Sequence, residues 1–418
     1  MTGAPDFTYG MTQTALRTTT GQQTFTASNF GGGTPKAALF FVTYDTNGNG
    51  TPVSHAEVCI GAAISTSKEW CFVSSDEDGQ STTDTARRWE TAHCIQLHAP
   101  GDSTPTVEAD FVSFGANAVT VDVTLTDGVA YIAMVVLFGG TDLVVDLGNF
   151  TNATGLGASA TVSSLSFEPD LVFFASMQAT TAAATSDDHF ACDFGVAINT
   201  GQPVAEQAGM NQWSDHAEAS ASDCRGGLSV KFANFGTAGT DAFQIHSFSS
   251  SGFKMKTMVS STGAFNHGFL ALGGINRDMT IKEFAVPDAT GVNQYFPGLT
   301  PEFVLMGISE NSETFTWNLG NPALSNNGTG LGILTADDEG CWSVALEDGA
   351  ATSNTESLSN TICFDVHKED GTAGSTGNGA LISGGFEIDW SAVGEGGGWA
   401  LCIGSKPPPR LINGGLIR

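Results

Sequence analysis

Asp45, Asn47 and Asn49 stand at alternate positions ahead of Gly50 in "YDTNGNG" (44–50), the order of oxygen ligands that opens a calcium loop. A complete loop of that kind closes on a Glu at its twelfth position. Here that position is Ala56, and Glu57 comes one residue late. Asn-Gly and Gly-Asn pairs are independently strong turn formers, because they tolerate positive φ. The stretch is therefore read as a turn between strands in preference to a metal site.

Other residue types invite the same test. Eight His are scattered at 55, 93, 98, 189, 216, 246, 267 and 367, and His189 sits beside Asp187 and Asp188 in what reads as a solvated turn. The acidic stretches "SSDEDG" (74–79), "ADDEGCW" (336–342) and "LEDG" (346–349) could supply paired carboxylates for glycoside cleavage. Each lies next to Gly, where water would screen it, so all three are read as solvated turns. "GTAGSTGNG" (371–379) is glycine-rich, but no helix follows to cradle a phosphate, and it is read as a loop. Trp70, Trp89, Trp213, Trp317, Trp342, Trp390 and Trp399 are candidate platforms for stacking on sugars, though Trp399 reads as core. No nucleophile elbow, phosphate loop or HExxH is present in the sequence. A non-enzymatic protein without cofactor is the expectation, with no catalytic, cofactor or metal residue assigned.

Eight cysteines lie at 59, 71, 94, 192, 224, 341, 363 and 402, with no CxxC pair to suggest zinc. The spacings Cys71–Cys94 and Cys341–Cys363 recur and would fit two disulfides. Use of Cys as a small buried apolar residue is the preferred reading.

What must position all of these is a repeat. "TPKAALFF" (34–41), "EPDLVFF" (168–174) and "TPEFVLM" (300–306) each place a charged residue after Pro and then an apolar run. "IGAAI" (60–64), "FGVAI" (194–198) and "LGILT" (331–335) follow. Next come "DFVSFGANAVTVDVT" (110–124), "FQIHSFSSSGFKMKT" (243–257) and "LISGGFEIDWS" (381–391), each read as a strand pair. Each unit closes on an apolar run ending in Gly, as in "AMVVLFGG" (133–140). Period-two alternation in "VTVDVTL" (119–125) and "FKMKT" (253–257) marks half-buried strands, and no 3.6-residue period is sustained. The expected fold is all-β: three tandem β-sandwich domains at 20–150, 155–287 and 293–405. An N-terminal arm (1–19) and a C-terminal docking arm (406–418) flank them.

Composition agrees with many short strands joined by turns: 52 Gly, 28 Phe, 41% hydrophobic and only 14% charged residues. The net charge of −29, from 15 basic and 44 acidic residues, repels phosphate backbones and anionic membranes. Nucleic acid and membrane insertion are thus excluded as expectations. The start "MTGAPDFTYG" reads as lacking a signal peptide, and Val129–Phe138 is too short to cross a bilayer.

With "SLSFEPDLVFF" (164–174), "FGVAI" (194–198), "EADFVSF" (108–114), "GF" (252–253) and "ALGG" (271–274), the unit resembles a recurrent β-rich module of tailed-phage and prophage virion proteins. The first unit departs from the pattern at "GANAV" (115–119). The resemblance implies a structural role in a virion, exterior and tail-associated as fibre, spike or minor tail protein. Head decoration is the alternative, and glycan binding or degradation a second one. The Pro run and apolar end of "SKPPPRLINGGLIR" (405–418) read as an arm that docks on other virion proteins, and homo-oligomers and contact with host glycans are further expectations.

Overall fold

A computed structural model describes residues 7–81, 84–177, 185–186, 189–202, 205–215, 222–227, 243–258, 263–309, 326–347, 352–368, 371–394 and 396–405. It also describes the backbone of 411–412 and 415–416. Every described element is a strand, and no helix occurs among the described residues.

The strands form several separate sheets that repeat one order. The first large sheet runs Thr8–Ala15, Ile132–Gly139, Pro35–Thr43, Ala56–Ser65, Lys68–Glu77, Asp84–Glu90. A smaller sheet, Gly21–Thr26, Ala118–Leu125, Pro105–Gly115, Ile95–His98, faces it across a buried cluster that includes Phe25, Phe40, Val73, Leu97 and Val121. The second large sheet begins with Val144–Thr151 and the third with Asp278–Ala285, and each again has a small sheet opposite. The predicted strand pairs 110–124, 243–257 and 381–391 are antiparallel hairpins within the small sheets.

The first strand of each repeat corrects the expected boundaries. Thr8–Ala15 is no arm: it pairs along its whole length with Ile132–Gly139. Val144–Thr151 pairs with Asn266–Gly273, and Asp278–Ala285 with the strand ending at Ser405, so both belong to the repeat that follows them. Connectors of four residues, 140–143 and 274–277, join the repeats. The segment 371–379, read as a loop, lies mostly in the strand Ala373–Ile382. Its glycines permit close packing: a Cβ on Gly377 would lie 2.4 Å from Ile388, and one on Gly379 2.6 Å from the Cys363 sulfur. Of the expected docking arm at 406–418, only a pairing of 411–412 with 415–416 lies within the described residues.

The charged residue after each proline ties its repeat to a connector. The Lys36 ammonium donates to the carbonyls of Thr141 and Leu143, and the Asp170 carboxylate accepts from the Ile275 N–H at 2.8 Å. Glu302 pairs with Arg277 at 3.2 Å.

The glycine of the second landmark is fixed by close approach. A Cβ on Gly61 would sit 1.9 Å from the Cys94 carbonyl oxygen, and one on Gly332 1.9 Å from that of Cys363. Large and small sheets touch through backbone there. Gly61→Ala is expected to cost about 3 kcal/mol through overpacking, read as a lowered denaturant midpoint. An unchanged midpoint would show that the two sheets can part freely at that point.

The inner large-sheet strands, such as Pro35–Thr43 and Ile132–Gly139, are apolar on both faces because both faces are buried. Ala38, Phe40 and Val42 face the small sheet, whereas Ala37, Leu39 and Phe41 face away from it into a second cluster. That cluster takes residues from all three large sheets, among them Phe138, Phe173, Phe194, Leu270, Phe303, Trp342 and Leu401. Phe138 stacks on Phe173 at 5.4 Å and meets Phe303 edge-on at 6.1 Å, so one ring touches all three repeats. The repeats thus surround a shared core.

Candidate functional site

With both faces of each large sheet buried, the places where this chain can do chemistry or make contacts are the junctions between repeats, the loops and the outer faces of the small sheets. The junctions run in a closed cycle, and the contacts given for the first two occupy equivalent positions. At the first, Lys68 forms an ion pair with Asp146. At the second, Glu206 accepts from the Thr280 hydroxyl at 2.9 Å and the Ile281 N–H at 2.5 Å. At the third, Asn29 donates to the Thr335 hydroxyl at 2.9 Å and the Tyr9 hydroxyl to the Glu302 carbonyl at 2.8 Å. Beside these contacts lies a cleft of about 350 Å³ lined by Thr12, Gln13, Ser28, Asp337, Asp338 and Thr361, among others. Partial burial and the neighbouring Asp337 charge raise the Asp338 pKa. The cleft is acidic and hydroxyl-lined. Among the described residues no group of three His, Cys, Asp or Glu converges in a way that could hold a metal ion.

Among the described residues, the contact between the first and third repeats carries a row of hydroxyls. Thr355, Ser357 and Ser359 lie on one face of the strand Thr355–Asn360, following Ser353 at the same spacing, and their hydroxyls meet the first repeat. Ser357 donates to the His55 carbonyl and accepts from the Glu57 N–H, each at 2.8 Å. Ser359 shares a hydrogen bond with Thr43, and Ser353 donates to the Glu77 carbonyl at 2.6 Å. Val53–Ser54 pairs with the free edge of that strand, and Thr185–Ser186 caps Asp84–Glu90 in the same manner. Sheet edges that would otherwise invite stray pairing are covered by the neighbouring repeat.

The calcium-like turn serves this contact. The fully buried Asp45 carboxylate accepts from the N–H groups of Asn47 (2.7 Å), Gly48 (3.0 Å) and, across the junction, Ser359 (2.8 Å). Gly48 and Gly50 take positive φ, and the Gly50 N–H donates to the Ser359 carbonyl. Asn49 accepts from the Thr51 N–H. The stretch is a turn, and its acid holds two repeats together.

Of the acids expected in solvated turns, one is buried and others are hydrogen-bonded within the fold. Asp76 is fully buried within the strand Lys68–Glu77. Glu339 accepts from the Cys363 and Gly379 N–H groups, and its counterpart Glu69 from the Phe111 N–H at 2.8 Å. Both therefore tie a large sheet to its small sheet. Glu347 accepts from Asn354, while Asp348 lies outside the described residues. Burial pushes the Glu69 carboxyl up to about 7, although the Phe111 bond opposes it. A carboxyl raised in the folded state stabilises below its unfolded value, and that contribution is lost as pH rises through about 7. Glu69→Gln keeps an acceptor for Phe111 and removes the titration. Its melting temperature is expected to fall less between pH 6 and pH 8 than that of the parent. Equal falls would assign the loss to other groups.

Among the described residues the histidines do not assemble. His98 and His267 are buried and held neutral, their pKa values pushed down to about 3 by desolvation. His367 is the repeat counterpart of His98; burial would lower it, but the Asp365 carboxylate 3.0 Å away raises it instead. His55 accepts from the Asp78 N–H at 3.0 Å. His93 lies between Asp110 (2.5 Å) and Glu108 (3.5 Å), and His246 is half-buried. Asp187, Asp188 and His216 fall outside the described residues, as does the side chain of His189.

Trp70, Trp89, Trp342, Trp390 and Trp399 are all buried, so none is a platform for sugars. Trp317 and the Trp213 side chain lie outside the described residues. Seven cysteines are buried free thiols, including both candidate pairs, Cys71–Cys94 and Cys341–Cys363; the side chain of Cys224 is not described. The chain matches no family model and no curated protein.

Proposed function

We propose that the chain is a non-enzymatic structural block of a tailed-phage virion, exterior and tail-associated, built as three β-sandwich repeats closed on one another. The observation that carries the structural role is the shared core. Three repeats spend the second face of their large sheets on one another, where strung-out spacers would leave those faces to solvent. The burial of five tryptophans, seven thiols and two neutral histidines away from solvent supports the same role. The virion assignment rests on the sequence resemblance, and the loops and small-sheet faces are the surfaces offered to other subunits or to host glycans.

Head decoration is a second reading. A body whose three repeats contact one another in a closed cycle is suited to a threefold position of a shell lattice. Antibody labelling of intact particles with negative-stain imaging decides between the two. Label on the tail is the expected outcome, label on the head favours the second reading, and unlabelled particles would reject both.

A further inference from the structure

The small sheets of the first and second repeats offer opposite charges to solvent. In the first, Val107, Ala109, Val121 and Val123 point into the core, which turns Glu108, Asp110 and Asp122 outward. Asp110 and Asp122 are direct cross-strand neighbours, a placement in which like charges repel. His93 contacts Asp110 and Glu108, Gln96 also donates to Glu108, and Asp122 makes no ion pair among the described residues. In the second repeat, Phe253 and Met255 point inward, so Lys254 and Lys256 point outward in line with the exposed Met258.

Cations are scarce in this chain, 15 against 44 acids. Lys36, Lys68, Arg88 and Arg277 are engaged by carbonyls or carboxylates. Lys254 and Lys256 make no ion pair among the described residues. Two neighbouring ammonium groups on one sheet face of a protein of net charge −29 call for an acidic partner.

We infer that this partner is a second copy of the chain. The Lys254–Lys256 face of one copy docks on the Glu108–Asp110–Asp122 face of another. Spacing favours the match: Lys254 and Lys256, like Glu108 and Asp110, are two residues apart on a strand, about 7 Å in each case. Apolar side chains border both rows. Leu125 lies opposite Glu108, and Leu156 and Met258 are exposed beside the lysine strand. The contact is heterologous, so each docked pair leaves one acidic and one basic face open and growth continues until a rotation closes the ring. This inference rests on the reading of the chain as an assembly block and names its partner.

Sedimentation velocity of the full chain tests it. At low ionic strength the mean mass should rise with concentration, and at about 0.5 M salt, where the screening length is a few ångströms, it should return to the monomer. Lys254→Glu with Lys256→Glu, and separately Asp122→Lys, should each weaken association more than tenfold. An equimolar mixture of the two variants should restore it. Melting curves matching the parent would show that both variants are folded, as expected for outward-facing residues. A monomer at every concentration in low salt would overturn the inference, and so would association that survives either reversal or a mixture that fails to recover. Monomeric behaviour with particle labelling intact would leave the structural role standing, whereas self-association without labelling would do the reverse.

Discussion

Phe138→Ala is expected to lower the unfolding free energy by about 3–5 kcal/mol, the range for removing a buried phenyl ring from a packed core. Phe138 stacks on Phe173 and Phe7 and meets Phe303, drawing on all three repeats. The loss should therefore be felt by every repeat together. Denaturant unfolding followed by tryptophan fluorescence reads mainly the first and third repeats, through Trp70 and Trp89 and through Trp342, Trp390 and Trp399. Thiol labelling read at Cys192 by peptide mapping reports on the second repeat as that residue becomes exposed. Both probes should move to the same lower midpoint. A shift confined to one probe would mean that the central cluster does not couple the repeats.

Asp45→Ala is expected to cost roughly 3–5 kcal/mol, since it strands three backbone N–H groups that now donate to a buried carboxylate. Two are local to the turn and one belongs to Ser359, so the loss combines a turn defect with a junction defect. Asp45→Asn retains one acceptor oxygen and should fall between the parent and the alanine variant. Neither calcium nor a chelator should move the parent's melting temperature. A calcium-dependent rise would be linkage to a bound ion and would contradict the assignment of this carboxylate to backbone donors.

The strand content and the hairpins of the small sheets were legible in the sequence because each has a local signature. Alternation in "VTVDVTL" and "FKMKT" records one wet face and one dry face. The shared core is also written there, in runs that lack alternation. Ala37–Val42, Ile60–Ala63 and Ala133–Phe138 are apolar at odd and even positions alike, which requires a partner on both sides of the sheet. One sandwich supplies only one. The first strand of each repeat escaped notice because an edge strand is constrained on fewer sides; "YGMTQTA" and "VVDLGNF" share little beyond length. Ser353, Thr355, Ser357 and Ser359 do alternate visibly, but hydroxyls at period two fit a solvated edge as well as a junction. The roles of Asp45, Glu69 and Glu339 depend on backbone donors far away in sequence, and no local pattern encodes those.

The account turns on a single cooperative body formed where three sheet faces meet around rings such as Phe138. Scanning calorimetry of the full chain addresses it directly. One transition whose van't Hoff enthalpy equals the calorimetric enthalpy is the predicted result. Resolved separate transitions, or a van't Hoff enthalpy near one third of the calorimetric value, would mean that the repeats melt independently.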